Sequence, residues 1–197
     1  GLTSLPEEER VRRFPETLHW RLSKIARVVG VDDSAAAAAR LRERGLADNI
    51  TVGDVQKLED IAGLRPEFDV ILAADIIEHV SNPGRMLDGI RRLCRADTDV
   101  LLTTPNAFGL LNFLRFLVRR FHEGDEHVLA FNVYNLSNLL ERHGFQRLEI
   151  GTCHQRAPRL PPGIVRLGGF LLRRMPRLGG TIFVHAAARG PHRNPSF

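Results

Sequence analysis

Between Gly1 and Gly30 the chain contains no glycine, which excludes from that stretch a glycine-rich turn whose backbone comes closer to a ligand than a Cβ allows. Cysteine is nearly missing too. Cys94 and Cys153 are the only two in 197 residues and share no paired spacing, so a paired-cysteine zinc site and a disulfide framework are both excluded. No metal is expected, and a reducing, cytoplasmic location fits best. Lysine occurs only at 24 and 57, so the formal charge of +5 rests on arginine. No acidic residue follows Glu149, which leaves a basic last quarter carrying Arg156, Arg166, Arg173 and Arg174 among others. Such a segment suits an acidic substrate, an anionic membrane or a nucleic acid, with a solvated basic face as the plainer alternative. No run approaches the roughly 18 to 20 uninterrupted apolar residues of a membrane-spanning helix, and no signal-peptide pattern precedes the acidic run Glu7 to Glu9.

What is present reads as a folded protein: 43% hydrophobic and 26% charged residues are ordinary globular values. The length suits one domain, taken as 1–190 with an insert at about 156–180 and a tail over 191–197. "RVVGVDD" is a short apolar run stopping at carboxylates. "SAAAAARLRERG" follows as a helix capped at Asp33 or Ser34 and stopped by Gly45. "NITVGD" gives a second strand, and "EFDVILAAD" a nearly continuous apolar one of the kind covered on both faces. "SNPGRMLDGIRRLCR" is a helix capped by Ser81 or Asn82 with Pro83 in its first turn, and "TDVLLTTPN" is a further buried strand. Phe108 to Phe121 forms an apolar helix. "FNVYNLSNLLERHGF" is a helix capped by Asn132 and stopped by Gly144, and "QRLEIGTC" and "TIFVHAAAR" are the closing strands. The alternation predicts an α/β fold, doubly wound around a mostly parallel sheet.

Ligands of such sheets bind beyond the carboxyl ends of the strands, which directs attention to Asp32 and Asp33, Asp54, Asp75 and Thr104 to Asn106. A carboxylate closing a strand accepts from both hydroxyls of a ribose, the role favoured for Asp32. A helix cap is the plainer reading of Asp33 and a turn aspartate that of Asp54.

Taken in order, "VVGVDDS", "GDVQKL", "FDVILAADIIEHVSNPGRML", "LLTTPN", "EHVLAFN" and "LSNLLERHGF" resemble the class I S-adenosylmethionine-dependent methyltransferases, in their bacterial small-molecule branch. The resemblance runs from about Leu18 to Ile150 and resumes in the last strand. It implies a seven-stranded Rossmann-like sheet with S-adenosylmethionine across its carboxyl edge. Asp32 would bind the ribose with Asp33 beside it, Asp54 the adenine amino group with Val55 against the ring, and Asp75 with Ile76 would line the methionine side. His19 in "TLHWRL" matches a short pattern near the cofactor in some relatives. Trp20 beside it reads as core. His79, in "DIIEHV", and His127 are the candidate bases, since imidazole titrates near neutrality and a hydroxyl acceptor must lose a proton. Structural hydrogen bonding at Glu78 and His79 and an ordinary loop histidine at 127 are the alternatives.

One element of the family is missing. Its members carry a glycine-rich first strand, of the type "VLDVGCG", before the helix that "LHWRLSKIA" matches, and "GLTSLPEEERVRRFPE" supplies neither strand nor cradle. Either a segment near Phe14 to Glu16 is left out of this sequence or the protein lacks the loop. Losing a central strand would strand backbone groups without partners, so an omitted segment is favoured. The expected function is methyl transfer from S-adenosylmethionine to a small-molecule, glycan or lipid-precursor acceptor, most plausibly at oxygen. The alternative is a non-catalytic module of the same fold acting through protein or membrane contacts. Nucleic acid is disfavoured as a substrate, for want of an "NPPY"-type motif or an aromatic, basic patch. The amphipathic stretch 164–175 could touch a membrane or lipid-linked substrate, with a pocket cover or dimer face as the plainer alternatives.

Overall fold

The computed structural model describes residues 17–46, 48–117, 126–153, 174–175 and 177–189. The possible seam at 14–16, most of the stretch 164–175 and the tail 191–197 lie outside the described residues. The chain divides into two compact units, Gly1–Leu64 and Arg65–Phe197.

The first unit is a βαβ motif preceded by a short helix. Helix α1 (Leu18–Leu22) starts at Thr17, whose side chain accepts from the Trp20 N–H at 3.2 Å. Strand β1 (Gly30–Asp32) leads into α2 (Ala35–Glu43), and β2 (Ile50–Val52) returns parallel to β1, pairing Gly30 with Ile50 and Asp32 with Val52. Ser34 rather than Asp33 caps α2, accepting from Ala37 N–H at 3.2 Å, and Gly45 closes it at φ +64°. Ala38, Leu41 and Ile50 form the buried cluster of this unit, with Trp20 and Leu46 packed against it. Trp20 therefore belongs to the core, and Lys24 Nζ lies 4.3 Å from its ring centroid. A short 3-10 helix, Val55–Asp60, follows β2.

The second unit is a four-stranded sheet in the order β3-β4-β6-β5: β3 (Phe68–Ala74), β4 (Cys94–Pro105), β5 (Phe145–Cys153) and β6 (Thr181–Ala188). β3 and β4 are parallel, whereas β6 pairs antiparallel with both β4 and β5. Between them lie α3 (Pro83–Leu93), α4 (Leu110–Leu117) and α5 (Val133–Arg142). Asn82 caps α3 with Pro83 at its first position, and a capping box of Asn132 and Asn135 starts α5. Helix α3 stops two residues short of the expected end, because Cys94 and Arg95 already belong to β4.

Burial of the second unit falls on Ala73, Val100, Leu102, Ile182, Val184 and Ala186 of the strands, Met86, Leu87 and Ile90 of α3, and Leu136 and Leu140 of α5. The expectation that the apolar β3 is covered on both faces is corrected: Val70 is 50% and Leu72 39% exposed on one face, while Ala73 on the other is buried, the pattern of a half-covered strand. The described residues hold six strands in two separate sheets, and none precedes Gly30.

Candidate active site

In the first unit, chemistry-bearing side chains follow the parallel pair β1-β2. Asp32 ends β1, and its Oδ1 accepts from the Ser34 N–H at 2.9 Å, which turns the chain into α2. Asp33 is exposed and caps nothing. Asp54, two residues beyond β2, caps the 3-10 helix by accepting from the Gln56 N–H at 2.8 Å, and Val55 opens that helix half-buried. The turn reading of Asp54 thus describes one of its oxygens. His19 lies against β1: a Cβ on Gly30 would sit 2.8 Å from its ring. His19 Nε2 is 3.1 Å from Asn49 Oδ1, and the Asn49 amide donates to Val28 O at 2.8 Å. His19 therefore braces α1 against the entry to β1.

In the second unit, the turn after β3 gathers acids and histidines. Asp75 has φ +50°, alone among the described non-glycine residues. A carboxylate residue held left-handed stores about 1–3 kcal/mol that its surroundings must supply, a mark of constrained functional turns. β4 supplies it: Asp75 N–H donates to Thr103 O at 2.9 Å, and Thr103 Oγ1 donates to Asp75 Oδ1 at 3.0 Å. The next residue holds the next acid. Thr104 Oγ1 donates to Glu78 Oε2 at 2.9 Å, leaving Glu78 Oε1 buried without a hydrogen-bond partner. Glu78 is only 2% exposed, and burial pushes its carboxyl above the ordinary value of 4.5, against the lowering effect of its hydrogen bonds. Ile76 is half-buried, and its carbonyl accepts from the His79 N–H at 3.0 Å.

His79 and His127 come together. Their rings meet edge-on with centroids 4.7 Å apart. The His79 Nδ1–H donates to Glu126 O at 3.2 Å, while the Val128 and Leu129 N–H groups donate to Glu78 O at 3.0 and 3.2 Å. The two "EHV" triplets of the sequence, 78–80 and 126–128, thus lie side by side. His79 Nε2, the ring nitrogen not engaged by Glu126, lies 3.9 Å from Glu78 Oε1.

Asn106, the last residue of the "TPN" run, is 1% exposed and has a structural task. Its amide donates to Arg177 O and Gly179 O at 3.0 and 2.7 Å, and its Oδ1 accepts from Phe108 N–H at 3.1 Å. It pins the end of β4 to the approach to β6.

A family model described as a methyltransferase domain matches residues 16–150. The chain belongs to this methyltransferase family. Over 139 residues it is 27% identical to the ubiquinone biosynthesis O-methyltransferase of Nitrobacter winogradskyi, covering 66% of this chain and 50% of the relative. The methyltransferase thus spans about half the length of that curated relative. Among solved structures, a putative methyltransferase in complex with the Trm112 activator of Haloferax volcanii superposes with a TM-score of 0.61 at 14% identity, over 95% of this chain and 80% of that one. A possible histamine N-methyltransferase of Thermotoga maritima gives 0.58 at 16% identity, over 94% and 96%. Magnesium protoporphyrin IX methyltransferase of Synechocystis with bound S-adenosylhomocysteine gives 0.57 at 15% identity, over 88% and 69%. These likenesses carry the Rossmann-like fold.

The cofactor that the resemblance implies is S-adenosylmethionine. Asp32 and Asp54 are acceptor-only groups that follow two adjacent, parallel strands, a chemistry compatible with the hydroxyls and exocyclic amine of an adenosine. The glycine cradle that lets backbone approach the methionine end has no counterpart before Gly30.

Proposed function

We propose that the methyltransferase transfers the methyl group of S-adenosylmethionine to an oxygen of a small-molecule, glycan or lipid-precursor acceptor. The observation that carries this is the contact between His79 and His127 beside the turn after β3, which offers a neutral imidazole lone pair as a proton acceptor. An oxygen acceptor needs such a base; a neutral amine attacks without one. The name of the Nitrobacter relative, an O-methyltransferase, supports the same atom. On this reading both units belong to one catalytic domain, in keeping with a family match that crosses their division.

Asp32 binds the ribose hydroxyls with Asp33 next to it, Asp54 accepts from the adenine amine with Val55 against the ring, and Asp75 and Ile76 line the methionine side. His19 is a further residue on the cofactor side, and its ring also lies against Gly30. The bound cofactor supplies an electrophilic methyl on a sulfonium, displaced in line. This chain's residues orient the acceptor and take its proton, at His79 Nε2 or on His127. A lipid-linked acceptor would draw on the basic, amphipathic stretch 164–175 at a membrane surface, from the cytoplasmic side. Among the described residues no helix is long and apolar enough to cross a membrane.

The test is an incubation with S-adenosylmethionine and a panel of phenolic, sugar and polyprenyl-linked acceptors, with products read by mass spectrometry. Transfer to a hydroxyl is expected, and His79→Ala should lower kcat by about 10²–10⁴ with cofactor affinity kept. Transfer confined to amine acceptors, or a His79→Ala enzyme as fast as the parent, would overturn the reading.

A further inference from the structure

Glu78, His79 and His127 form one compact group of possible ligands. One ligand atom from each lies within 4.8 Å of the other two. Glu78 Oε1 is buried and unpartnered, a condition that costs about 1–3 kcal/mol unless something pairs with it. Thr104 fixes the other oxygen, so the orphaned one is held in place. His79 donates its Nδ1–H to Glu126 O, as a metal-bound histidine usually does to a carbonyl, and its Nε2 faces Glu78 Oε1 at 3.9 Å. The Asp75 carboxylate, close enough to push the Glu78 carboxyl up, adds a negative field favouring a cation.

We propose that Glu78 Oε1, His79 Nε2 and a ring nitrogen of His127 bind a divalent transition-metal cation of the zinc class. Two imidazole nitrogens and one carboxylate form a borderline donor set that suits zinc or cobalt better than the all-oxygen preference of magnesium or calcium. Tetrahedral coordination places ligand atoms about 3.3 Å apart. His79 and Glu78 are close to that already, and a modest shift of His127 completes the set. Three protein ligands leave a position for water or for an acceptor oxygen. With the cation bound, His79 Nε2 is a ligand, and loss of the acceptor proton follows from coordination of its oxygen. Metal binding itself requires no methyl transfer, but the site takes up His79 and His127, which the proposed function uses as bases in the absence of a cation.

The experiment titrates chelator-treated full-length protein with zinc chloride by calorimetry and with cobalt chloride by visible absorption. One equivalent should bind, with cobalt bands of a four- or five-coordinate site. Glu78→Gln, which keeps an acceptor for Thr104, and His127→Ala should each weaken binding at least about 10-fold, with circular dichroism confirming that both fold. Absent stoichiometric binding, or binding that neither substitution weakens, overturns the proposal. Metal binding without hydroxyl methylation would leave the site standing and sink the proposed function; the reverse result would keep His79 as a base and remove the metal.

Discussion

Glu78 is the residue whose environment most constrains the chemistry. A buried carboxyl with a raised pKa folds more favourably in its protonated form. The cost of ionising it is absent below the ordinary value of 4.5 and grows as pH rises through the raised pKa. Glu78→Gln removes that cost, keeps an acceptor for Thr104 and puts an amide donor toward His79 Nε2. In chelator, thermal melts of parent and variant should coincide at acidic pH, and the variant should melt higher at neutral pH. A variant that melts lower at every pH would mean that the charge itself is stabilising. From sequence alone Glu78 was legible only as a partner of His79 in structural hydrogen bonding. The repeated "EHV" was visible, but nothing local announces that His79 of one triplet and Glu126 of the other, 47 positions apart, share a hydrogen bond.

At the scale of elements, most of what was legible came from local chemistry: the caps Ser34, Asn82 and Asn132, the glycine stops at 45 and 144, and the strand-helix alternation. Each is decided within four or five residues. What stayed hidden is long-range. The reversed insertion of β6 between β4 and β5 depends on pairing across the sheet, and the adjacent threonines of β4 each hold a different acid of the turn after β3. Asn106 belongs to the same class. Asn106→Leu leaves the Arg177, Gly179 and Phe108 backbone groups without these bonds, at about 1–3 kcal/mol for each one left buried and unpaired. Urea unfolding should show that loss; a midpoint within error of the parent would contradict the staple. Gly144 offers a second check, at the turn between α5 and β5. It has φ +78°, and an added Cβ would meet Arg91 Nε, a group whose guanidinium also reaches Gly144 O and Arg189 O at 3.3 and 3.2 Å. Gly144→Ala should cost about 1–3 kcal/mol in the same experiment.

For the molecule as a whole, the family and the α/β class were legible from the series of motifs, and the match over 16–150 bears them out. The seven-stranded sheet that the resemblance implies is represented among the described residues by a two-stranded and a four-stranded sheet. On the proposed reading Asp32 and Asp54 hold the nucleoside end of S-adenosylmethionine. Calorimetric titration of the full-length protein with S-adenosylmethionine, beside Asp32→Ala, tests this most directly. Saturable one-to-one binding by the parent, weakened at least about tenfold (1.4 kcal/mol) by the substitution, is the predicted result; no binding by the parent, or equal affinity in the two proteins, would contradict it.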